Sequence, residues 1–326
     1  MMVITRTPLR VSFIGGGSDL PAFFDREPGL VVAAAINKYI YVTVSAKYDA
    51  SIRASYSVTE NVTDVDELQH DLIRAALKRY GITSHIEIHS IADIPAGTGL
   101  GSSSAFTVGL VHALEERDGG FVKGDKNVFI ARTASNIEIT DCGHPIGYQD
   151  QFSTALGGIR AFTFNEMGSG SISGKAIAPG SLESHMLLLD AGLPPRRADS
   201  VLKAQSEMSE HTRIITRRMV SMAREFKAAL LNDRMETCGS IMDCAWTLKR
   251  SLPGVTNPTI DALYATALHA GAWGGKLCGA GGSGFLLFLA PPEQHAAIIA
   301  ATGLRHVPIK IDTEGTTIIY SRKENA

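Results

Sequence analysis

A glycine- and serine-rich stretch carries the clearest chemistry in this sequence. Residues 93–105 read Asp-Ile-Pro-Ala-Gly-Thr-Gly-Leu-Gly-Ser-Ser-Ser-Ala, between a strand-like run at 85–91 and an apolar-periodic helix near 105–115. Three glycines within five residues let the backbone approach a ligand closely. The serines open the helix, where free N–H groups attract an anion and hydroxyls can reach a phosphate or its Mg²⁺. The stretch predicts a phosphate-binding loop, with a simple helix-capping turn as the alternative.

Two further glycine clusters make the capping turn a less favoured explanation. Residues 13–21 read Phe-Ile-Gly-Gly-Gly-Ser-Asp-Leu-Pro, and residues 274–284 read Gly-Gly-Lys-Leu-Cys-Gly-Ala-Gly-Gly-Ser-Gly. The central stretch is not a Walker loop, because no Lys-Ser/Thr follows its glycines, and it is not a GxGxxG dinucleotide fingerprint.

The elements that must position these loops alternate irregularly. The strands predicted for the first part are 3–12, 31–35, 39–46, 158–164 and 171–177, with helices at 66–80 and 127–140. Pro8 interrupts the first strand, which an edge position or a bulge tolerates. Later come a strand at 186–190, helical patterns at 199–230, 235–251 and 258–271, a strand at 285–289, a helix at 293–301 and two closing strands. This order favours a two-domain α+β protein, with a boundary near 179–184.

Composition narrows the class of partner. The chain has 326 residues, enough for about two domains, and a net charge of −2 without a basic cluster. Nucleic acid and anionic membranes are therefore not expected partners, and no apolar run approaches the roughly 20 residues that span a bilayer. The four cysteines lack CxxC pairing or metal-ligand spacing and are expected to be reduced thiols. We expect a soluble cytoplasmic protein with a small-molecule substrate, and a homodimer is left open.

The three glycine-rich stretches, in this order, resemble the GHMP kinase superfamily. The resemblance runs from residue 7 to residue 285 and includes the central motif Pro-x₃-Gly-Leu-Gly-Ser-Ser-Ser-Ala. The first motif, Thr-Pro-Leu-Arg-Val-Ser-Phe-Ile-Gly-Gly-Gly-Ser-Asp-Leu-Pro, and the third are most similar to the D-glycero-D-manno-heptose 7-phosphate kinase branch, whose relatives include fucose kinases. Two departures are Ser283, where that branch usually has glycine, and 191–198, a loose version of its Thr-Gly-x-x-Arg-x-Ala pattern.

The resemblance implies the fold and the division of the chain. It predicts an N-terminal ATP-binding domain of the ribosomal-protein-S5-domain-2-like type over 1–180 and a ferredoxin-like C-terminal domain over 181–326. ATP and a sugar would meet in the cleft between them, across the central loop.

The resemblance also implies the site residues. Asp150 matches the catalytic aspartate and Arg10 the basic residue of the first motif, while Ser103 and Glu138 match the Mg²⁺ ligands. The residues expected to bind ATP are Pro95, Gly97, Gly99, Leu100, Gly101, Ser102, Ser103 and Ser104. Those expected to bind the sugar are Asp19, Gly16, Gly17, Ser18, His144, Gly147, Gly281 and Gly282. For adenine, the segment 53–63 is the candidate.

These residue types suit phosphoryl transfer. The reaction needs a group that accepts or orients the proton of the attacking hydroxyl, and a carboxylate at Asp150 can do this. A cation such as Arg10 balances developing charge, and Mg²⁺ prefers oxygen ligands such as Ser and Glu. Taken singly, Glu138 could be a solvated helix residue, and Asp19 or Asp150 a cap.

The function expected from the resemblance is an ATP-dependent kinase that converts D-glycero-D-manno-heptose 7-phosphate to the 1,7-bisphosphate. Candidates to hold the substrate phosphate are Arg160, Arg196, Arg197 and Lys249. One alternative is a 1-kinase for an unphosphorylated, fucose- or arabinose-like sugar. Another is a sugar- and nucleotide-sensing regulator without catalysis, which the retention of Arg10, Glu138 and Asp150 disfavours. A decarboxylase on the same fold is disfavoured by Asp19.

Overall fold

The computed structural model describes residues 1–119, 124–165, 172–193, 203 and 207–322. Within these ranges the chain forms two β-sheets with helices packed against them. The strands are β1 (Met2–Ile14), β2 (Gly29–Ala46), β3 (Ile52–Ser55), β4 (Thr59–Val62), β5 (Ile86–Ala92), β6 (Ile159–Phe164), β7 (Ser173–Ile177), β8 (Met186–Asp190), β9 (Gly274–Leu277), β10 (Phe285–Leu289), β11 (Arg305–His306) and β12 (Thr317–Arg322).

The α-helices also lie within the described residues. They are α1 (Pro21–Phe24), α2 (Asp71–Arg79), α3 (Ser102–Asp118), α4 (Lys126–Ser135), α5 (Gln149–Leu156), α6 (Leu182–His185), α7 (Glu210–Leu231), α8 (Met235–Lys249), α9 (Pro258–His269) and α10 (His295–Thr302). A π-helical turn, Asn136–Asp141, continues α4 directly. The predicted α+β class is confirmed.

The large sheet is built around β1 and β2. Its strand order is β12-β1-β2-β5-β3-β4, with β6 paired to β2 and β7 to β6. Residues 40–46 of β2 pair with β5, whereas residues 29–34 pair with β6. The two strands predicted at 31–35 and 39–46 are one strand in the structure, and the predicted gap falls where its partner changes from β6 to β5.

Pro8 lies at an irregularity within β1. The register with β2 shifts between Pro8 and Leu9, so the bulge interpretation is confirmed. The outer neighbour, β12, pairs only with residues 2–6 of β1. Pro8 therefore lies beyond the end of that pairing and beside the register shift with β2, two positions that tolerate a residue without an N–H.

The small sheet joins two apolar cores. Its order is β11-β8-β10-β9, and all its described pairs are antiparallel. Met186 and Leu188 pack into the core of the large sheet, whereas Leu187 and Leu189 pack with Trp246 in a second core. Because both faces are buried, these strands read as continuous apolar runs, and the predicted bounds 186–190 and 285–289 are confirmed.

Two predicted helices differ from the structure at their ends. The helix predicted at 66–80 starts at Asp71, because a separate 3₁₀ turn, Val65–Glu67, precedes it and is capped by Asp64. The helix predicted at 127–140 comprises α4 and the π-helical turn. The helical pattern at 199–230 corresponds to α7 in its described part, and the strand predicted at 171–177 to β7.

The end of the chain returns to its beginning. β12 pairs antiparallel with β1, so the predicted C-terminal unit, 181–326, contributes one strand to the large sheet. Thr316 Oγ1 lies 2.8 Å from Thr7 Oγ1 and 3.0 Å from His112 Nδ1, and all three residues are buried. The division at residue 180 stays a prediction. Among the described helices, none is long and apolar enough to cross a bilayer.

Candidate active site

The central loop leads into α3 through three glycines in the left-handed region. Gly97, Gly99 and Gly101 have φ values of +78°, +82° and +75°, which favour residues without a Cβ. Gly101 is the N-cap of α3 and supplies no capping side chain. Ser102 Oγ is buried without a hydrogen-bond partner among the described residues, and Ser103 is exposed. The first turn of α3 therefore offers donors to an anion.

The third glycine cluster packs directly on the central loop. A Cβ on Gly99 would lie 2.5 Å from the carbonyl oxygen of Cys278, and one on Gly279 would lie 2.6 Å from Gly99 Cα. A Cβ on Gly284 would lie 2.3 Å from the Thr98 carbonyl oxygen. These approaches are possible only for glycine, so the two clusters form one backbone-to-backbone contact.

Gly281 and Gly282 lie in the same cluster but face another neighbour. A Cβ on Gly281 would lie 2.6 Å from Val255, and the Gly282 N–H donates to the Val255 carbonyl at 3.0 Å. Asn257 Nδ2 also donates to the Gly282 carbonyl. Their described contacts thus shape the turn between α8 and α9, and their predicted part in sugar binding stays a prediction.

Asp19, from the first glycine cluster, is enclosed by backbone. Its Oδ1 accepts from the Gly17 N–H at 2.9 Å, and its Oδ2 accepts from the Gln149 N–H at 3.2 Å. A Cβ on Gly147 would lie 2.0 Å from Oδ2, so only glycine fits there. Burial raises the pKa of Asp19, and the charge of Asp150 also raises it. The hydrogen bonds from the Gly17 and Gln149 N–H groups act in the opposite direction but do not cancel this rise.

Ser18 and Gly16 complete the first cluster in different ways. Ser18 Oγ donates to the Gly15 carbonyl and accepts from the Leu30 N–H, so its hydroxyl holds the turn. Gly16 and Gly17 border a small cavity together with Leu20, Thr216 and Lys249. The predicted sugar-binding glycines therefore lie beside a lysine from the C-terminal part of the chain.

Arg10 and Asp150 form a bidentate ion pair. Arg10 Nε donates to Asp150 Oδ1 at 2.8 Å, and Nη2 donates to Oδ2 at 2.6 Å. Arg10 Nη1 donates to the Gly99 carbonyl at 2.7 Å, which ties the pair to the central loop. Burial alone would lower the pKa of Arg10, but Asp150 outweighs it and the pKa is raised. The Asp150 side chain is 23% exposed against 5% for Arg10, so the carboxylate remains reachable.

Two buried lysines lie behind this pair. Lys249, at the end of α8, donates to the Gly279 carbonyl at 3.3 Å, and burial lowers its pKa although Asp19 opposes the shift. Burial, together with the charge of Lys249, lowers the pKa of Lys276, on β9, to about 7. Lys276 was not predicted as a site residue, because burial of a lysine in a glycine-rich motif has no sequence signal. Lys249 was predicted only as one of four basic candidates.

Glu138 is fully buried on the π-helical turn. Its Oε1 accepts from Gln151 Nε2 at 2.9 Å and its Oε2 from Ser104 Oγ at 3.2 Å, and burial raises its pKa to about 7. Ser103 also interacts with this carboxylate. A buried carboxylate without a cation is costly, and π-helical turns are frequent at functional sites. An oxygen donor set of this kind fits Mg²⁺, so the residues present are compatible with the ion that the resemblance implies.

Other predicted residues have different neighbours. His144 Nε2 lies 2.7 Å from Asp71 Oδ2, and none of its described contacts reaches Asp19 or Asp150. The guanidinium of Arg160 donates hydrogen bonds to the Gly157, Gly174 and Leu156 carbonyls. Its described contacts therefore do not support the predicted contact with a substrate phosphate. Arg196 and Arg197 lie outside the described residues.

The candidate adenine segment, 53–63, forms the β3–β4 hairpin. There Tyr56 packs edge-on against His70, whose ring lies 5.2 Å from that of Phe106 on α3. The role of segment 53–63 in adenine binding stays a prediction.

The fold and the site together define a phosphotransferase with two glycine loops at a helix N-terminus. Two family descriptions match this chain: "GHMP kinases N terminal domain" over residues 68–158 and "GHMP kinases C terminal" over residues 224–306. The two stretches occupy more than half of the chain, which belongs to the GHMP kinase family. It is therefore a phosphotransferase with an alcohol group as acceptor, and ATP is the phosphoryl donor of this family.

Individual relatives agree with this class. The chain is 26% identical to the D-glycero-alpha-D-manno-heptose 7-phosphate kinase of Campylobacter jejuni, over 91% of this chain and 92% of that protein. It is also 26% identical to the bifunctional fucokinase/GDP-fucose pyrophosphorylase of Arabidopsis thaliana, over 89% of this chain but only 30% of that longer protein.

Solved structures share the fold over nearly the whole chain. A D-glycero-D-manno-heptose 1-phosphate kinase from Bacteroides thetaiotaomicron superposes with a TM-score of 0.77 at 24% identity, covering 98% of this chain and 100% of that one. A galactokinase of Lactococcus lactis complexed with galactose gives a TM-score of 0.79 at 16% identity, covering 97% and 94%. The predicted two-part GHMP kinase fold is confirmed.

Proposed function

We propose that this protein is an ATP-dependent sugar kinase that phosphorylates the anomeric hydroxyl of D-glycero-D-manno-heptose 7-phosphate to give the 1,7-bisphosphate. The observation that carries the proposal is the group formed by Asp19, the Arg10–Asp150 pair and Lys249. Carboxylates suit sugar hydroxyls, and a buried lysine beside them suits a substrate that also carries a phosphate. The similarity to the Campylobacter jejuni heptose 7-phosphate kinase supports the same substrate.

In the proposed reaction Asp150 accepts the proton of the C1 hydroxyl. The freed oxygen attacks the γ-phosphorus of ATP, the bond from that phosphorus to the β–γ bridging oxygen breaks, and ADP leaves. Each Asp150 oxygen accepts one hydrogen bond from Arg10, which leaves a lone pair for the substrate proton. The guanidinium thus orients the carboxylate and balances charge near the transferred group.

The phosphates of ATP would lie at the start of α3. The N–H groups of its first turn and the hydroxyls of Ser102 and Ser103 would bind them, and Pro95 to Gly101 would form the loop around them. The hydroxyl of Ser104 already donates to Glu138 Oε2, so only the backbone N–H of Ser104 can contribute. Ser103 and Glu138 would hold Mg²⁺, which would neutralise phosphate charge. In this arrangement residues 1–180 bind ATP, and residues 181–326 contribute Lys249 and the third glycine cluster.

Coupled ADP release with Mg-ATP tests the substrate. The panel is D-glycero-D-manno-heptose 7-phosphate, mannose 6-phosphate, free fucose, free galactose and mevalonate. We expect turnover confined to the heptose phosphate, and a loss of about 10²–10⁴-fold in kcat for Asp150→Asn, because the amide cannot accept the proton. Turnover only with a free sugar would retain the kinase class and overturn the substrate. No turnover with ATP still bound would favour the sensor alternative.

Lys249→Met tests the contact with the substrate phosphate. We expect KM for the heptose phosphate to rise about tenfold or more, since a charged hydrogen bond contributes about 1.5–3 kcal/mol. The free heptose, assayed at high concentration, is the matched comparison, and its kcat/KM should change much less. Equal losses with both sugars would contradict a phosphate contact and favour the 1-kinase for unphosphorylated sugars.

A further inference from the structure

Three side chains of different ligand chemistry lie together at the start of α2. They are Asp71, Cys142 and His144, and one ligand atom from each lies within 4.8 Å of the other two. His144 Nε2 is 2.7 Å from Asp71 Oδ2. The carboxylate oxygens of Glu138 turn to Ser104 and Gln151, so this cluster is separate from the proposed Mg²⁺ ligands.

Backbone hydrogen bonds hold the cluster in place. The Cys142 N–H donates to the Ile137 carbonyl, and the His144 N–H donates to the Glu138 carbonyl, each at 3.0 Å. Asp71 is the first residue of α2. The two ligands from the segment after the π-helical turn are therefore presented to a helix terminus by ordered backbone.

The ligand set favours one kind of ion. A thiolate, an imidazole and a carboxylate are the ligands of Zn²⁺, whereas Mg²⁺ and Ca²⁺ prefer oxygen alone. We propose that Asp71, Cys142 and His144 bind one Zn²⁺ ion per chain. Bonds of about 2.0–2.3 Å in a tetrahedral site place ligand atoms about 3.3–3.8 Å apart. Separations of up to 4.8 Å must therefore shrink by at most about 1.5 Å, and the 2.7 Å between His144 Nε2 and Asp71 Oδ2 must widen by about 0.6 Å. The partial exposure of all three side chains leaves room for this change.

The surroundings leave the fourth position accessible. A surface cavity of about 590 Å³ borders Asp71 and Cys142. The cations along it are already engaged: Arg79 with Asp141 through two 2.8 Å hydrogen bonds, Lys78 with Asp66, and Arg74 with the Leu68 carbonyl. A water molecule can complete a tetrahedral site from this side.

A bound ion would hold in place the segment that links two parts of the candidate active site. The segment from Cys142 to Tyr148 runs between the turn that carries Glu138 and the helix that carries Asp150. Zn²⁺ would fasten this segment to α2, and we expect it to raise the Tm by mass action, since it binds the folded arrangement. His144 would then be a metal ligand and not a sugar contact.

Co²⁺ is the spectroscopic probe for this site. Titration of the full chain, with Mg²⁺ present throughout, should give one equivalent with a thiolate-to-cobalt charge-transfer band that Zn²⁺ displaces. Cys142→Ser should abolish the band, and His144→Ala and Asp71→Asn should each weaken binding by tenfold or more. Circular dichroism of each variant checks that it is folded.

Two control variants test whether the cobalt band comes from this cluster. Cys244→Ser removes an exposed thiol elsewhere, and Glu138→Gln removes the proposed Mg²⁺ ligand; both should leave the band in place. A band that survives Cys142→Ser, a band lost in Cys244→Ser, or no band up to a few hundred micromolar Co²⁺ would each overturn the proposal. None of these readouts depends on kinase turnover.

Discussion

The Arg10–Asp150 pair and the two lysines behind it determine the charge of the candidate site. Asp19 and Asp150 supply two carboxylates, whereas Arg10, Lys249 and Lys276 supply three basic groups. Burial lowers the pKa of both lysines, so their protonation is costly unless an anion is close. The site is therefore best suited to a negatively charged ligand.

Because of Lys276, the free energy of unfolding is expected to rise with pH. Its pKa is lowered from 10.5 to about 7 in the folded chain, so between these values the unfolded chain binds one more proton. Stability from this group is complete above pH 10.5, and it is lost progressively as the pH falls from 10.5 to about 7. We expect wild-type stability to rise relative to Lys276→Met by roughly 1 kcal/mol per pH unit between pH 7.5 and 9.5.

Urea unfolding at several pH values measures this difference in slope. Lys310→Met, at an exposed lysine, is the control and should parallel the wild type. If the stability of Lys276→Met has the same pH dependence as that of the wild type, the lowered pKa of Lys276 in the folded chain is contradicted.

The sequence predicted some of these site residues and missed others. Arg10 and Asp150 are 140 positions apart, and only the resemblance linked them before the structure showed the hydrogen bonds. Lys276 was missed because a lysine in a motif does not reveal whether it is buried. Cys142 and His144 were not grouped with Asp71, because contact across 73 residues leaves no pattern in the spacing.

At the scale of elements, two loops that are far apart in the chain behave as one unit. The central loop and the third glycine cluster touch through Gly99, Gly279 and Gly284, and Arg10 holds the Gly99 carbonyl. The α3 terminus that offers donors to phosphate is therefore positioned by residues from both sheets. If ATP binds at this terminus as proposed, the geometry of its phosphates depends on that contact.

Gly99→Ala tests the contact between the loops. The added Cβ would overlap the Cys278 carbonyl at 2.5 Å, in addition to the strain of a positive φ. We expect a loss of about 2–4 kcal/mol in unfolding free energy and a raised KM for ATP. Gly119→Ala is the control, since Gly119 has φ +67° but no atom of the described residues lies within 4 Å of an added Cβ. Equal destabilisation of the two variants would contradict a role for the contact.

The buried strands of the small sheet were easier to predict than helix ends. β8 and β10 are buried on both faces, so their apolar runs have sharp limits in the sequence. The start of α2 was placed too early because the helical pattern continued through a 3₁₀ turn with its own cap. The glycine-to-glycine contact had no sequence signal, since glycine carries no side chain whose periodicity could reveal a neighbour.

At the scale of the whole molecule, the return of β12 joins the last part of the chain to the first. Thr316 is the centre of this junction, because its hydroxyl lies between Thr7 and His112 in a buried environment. Burial lowers the pKa of His112 to about 3, so the ring stays neutral and needs a neutral partner. The junction contributes to stability without contacting the candidate active site.

Thr316→Val measures this junction. The change keeps the shape but leaves Thr7 and His112 without their shared partner, so we expect a loss of about 1–3 kcal/mol in unfolding free energy. Thr266→Val, whose hydroxyl bonds to Ala262 within α9, should cost less. Steady-state kinetics should show kcat/KM within twofold of wild type. A stability equal to wild type would mean that the junction contributes nothing.

The pairing of Met2 with Arg322 has a consequence for biosynthesis. During translation, β1 is made about 300 residues before β12, and its outer edge lacks this partner until β12 has left the ribosome. Unpaired edges can recruit other chains, and contacts between distant residues form slowly. The nascent chain therefore keeps one edge of its large sheet open while the residues between β1 and β12 are made. Aggregation during overexpression, or dependence on a chaperone, would begin at that edge.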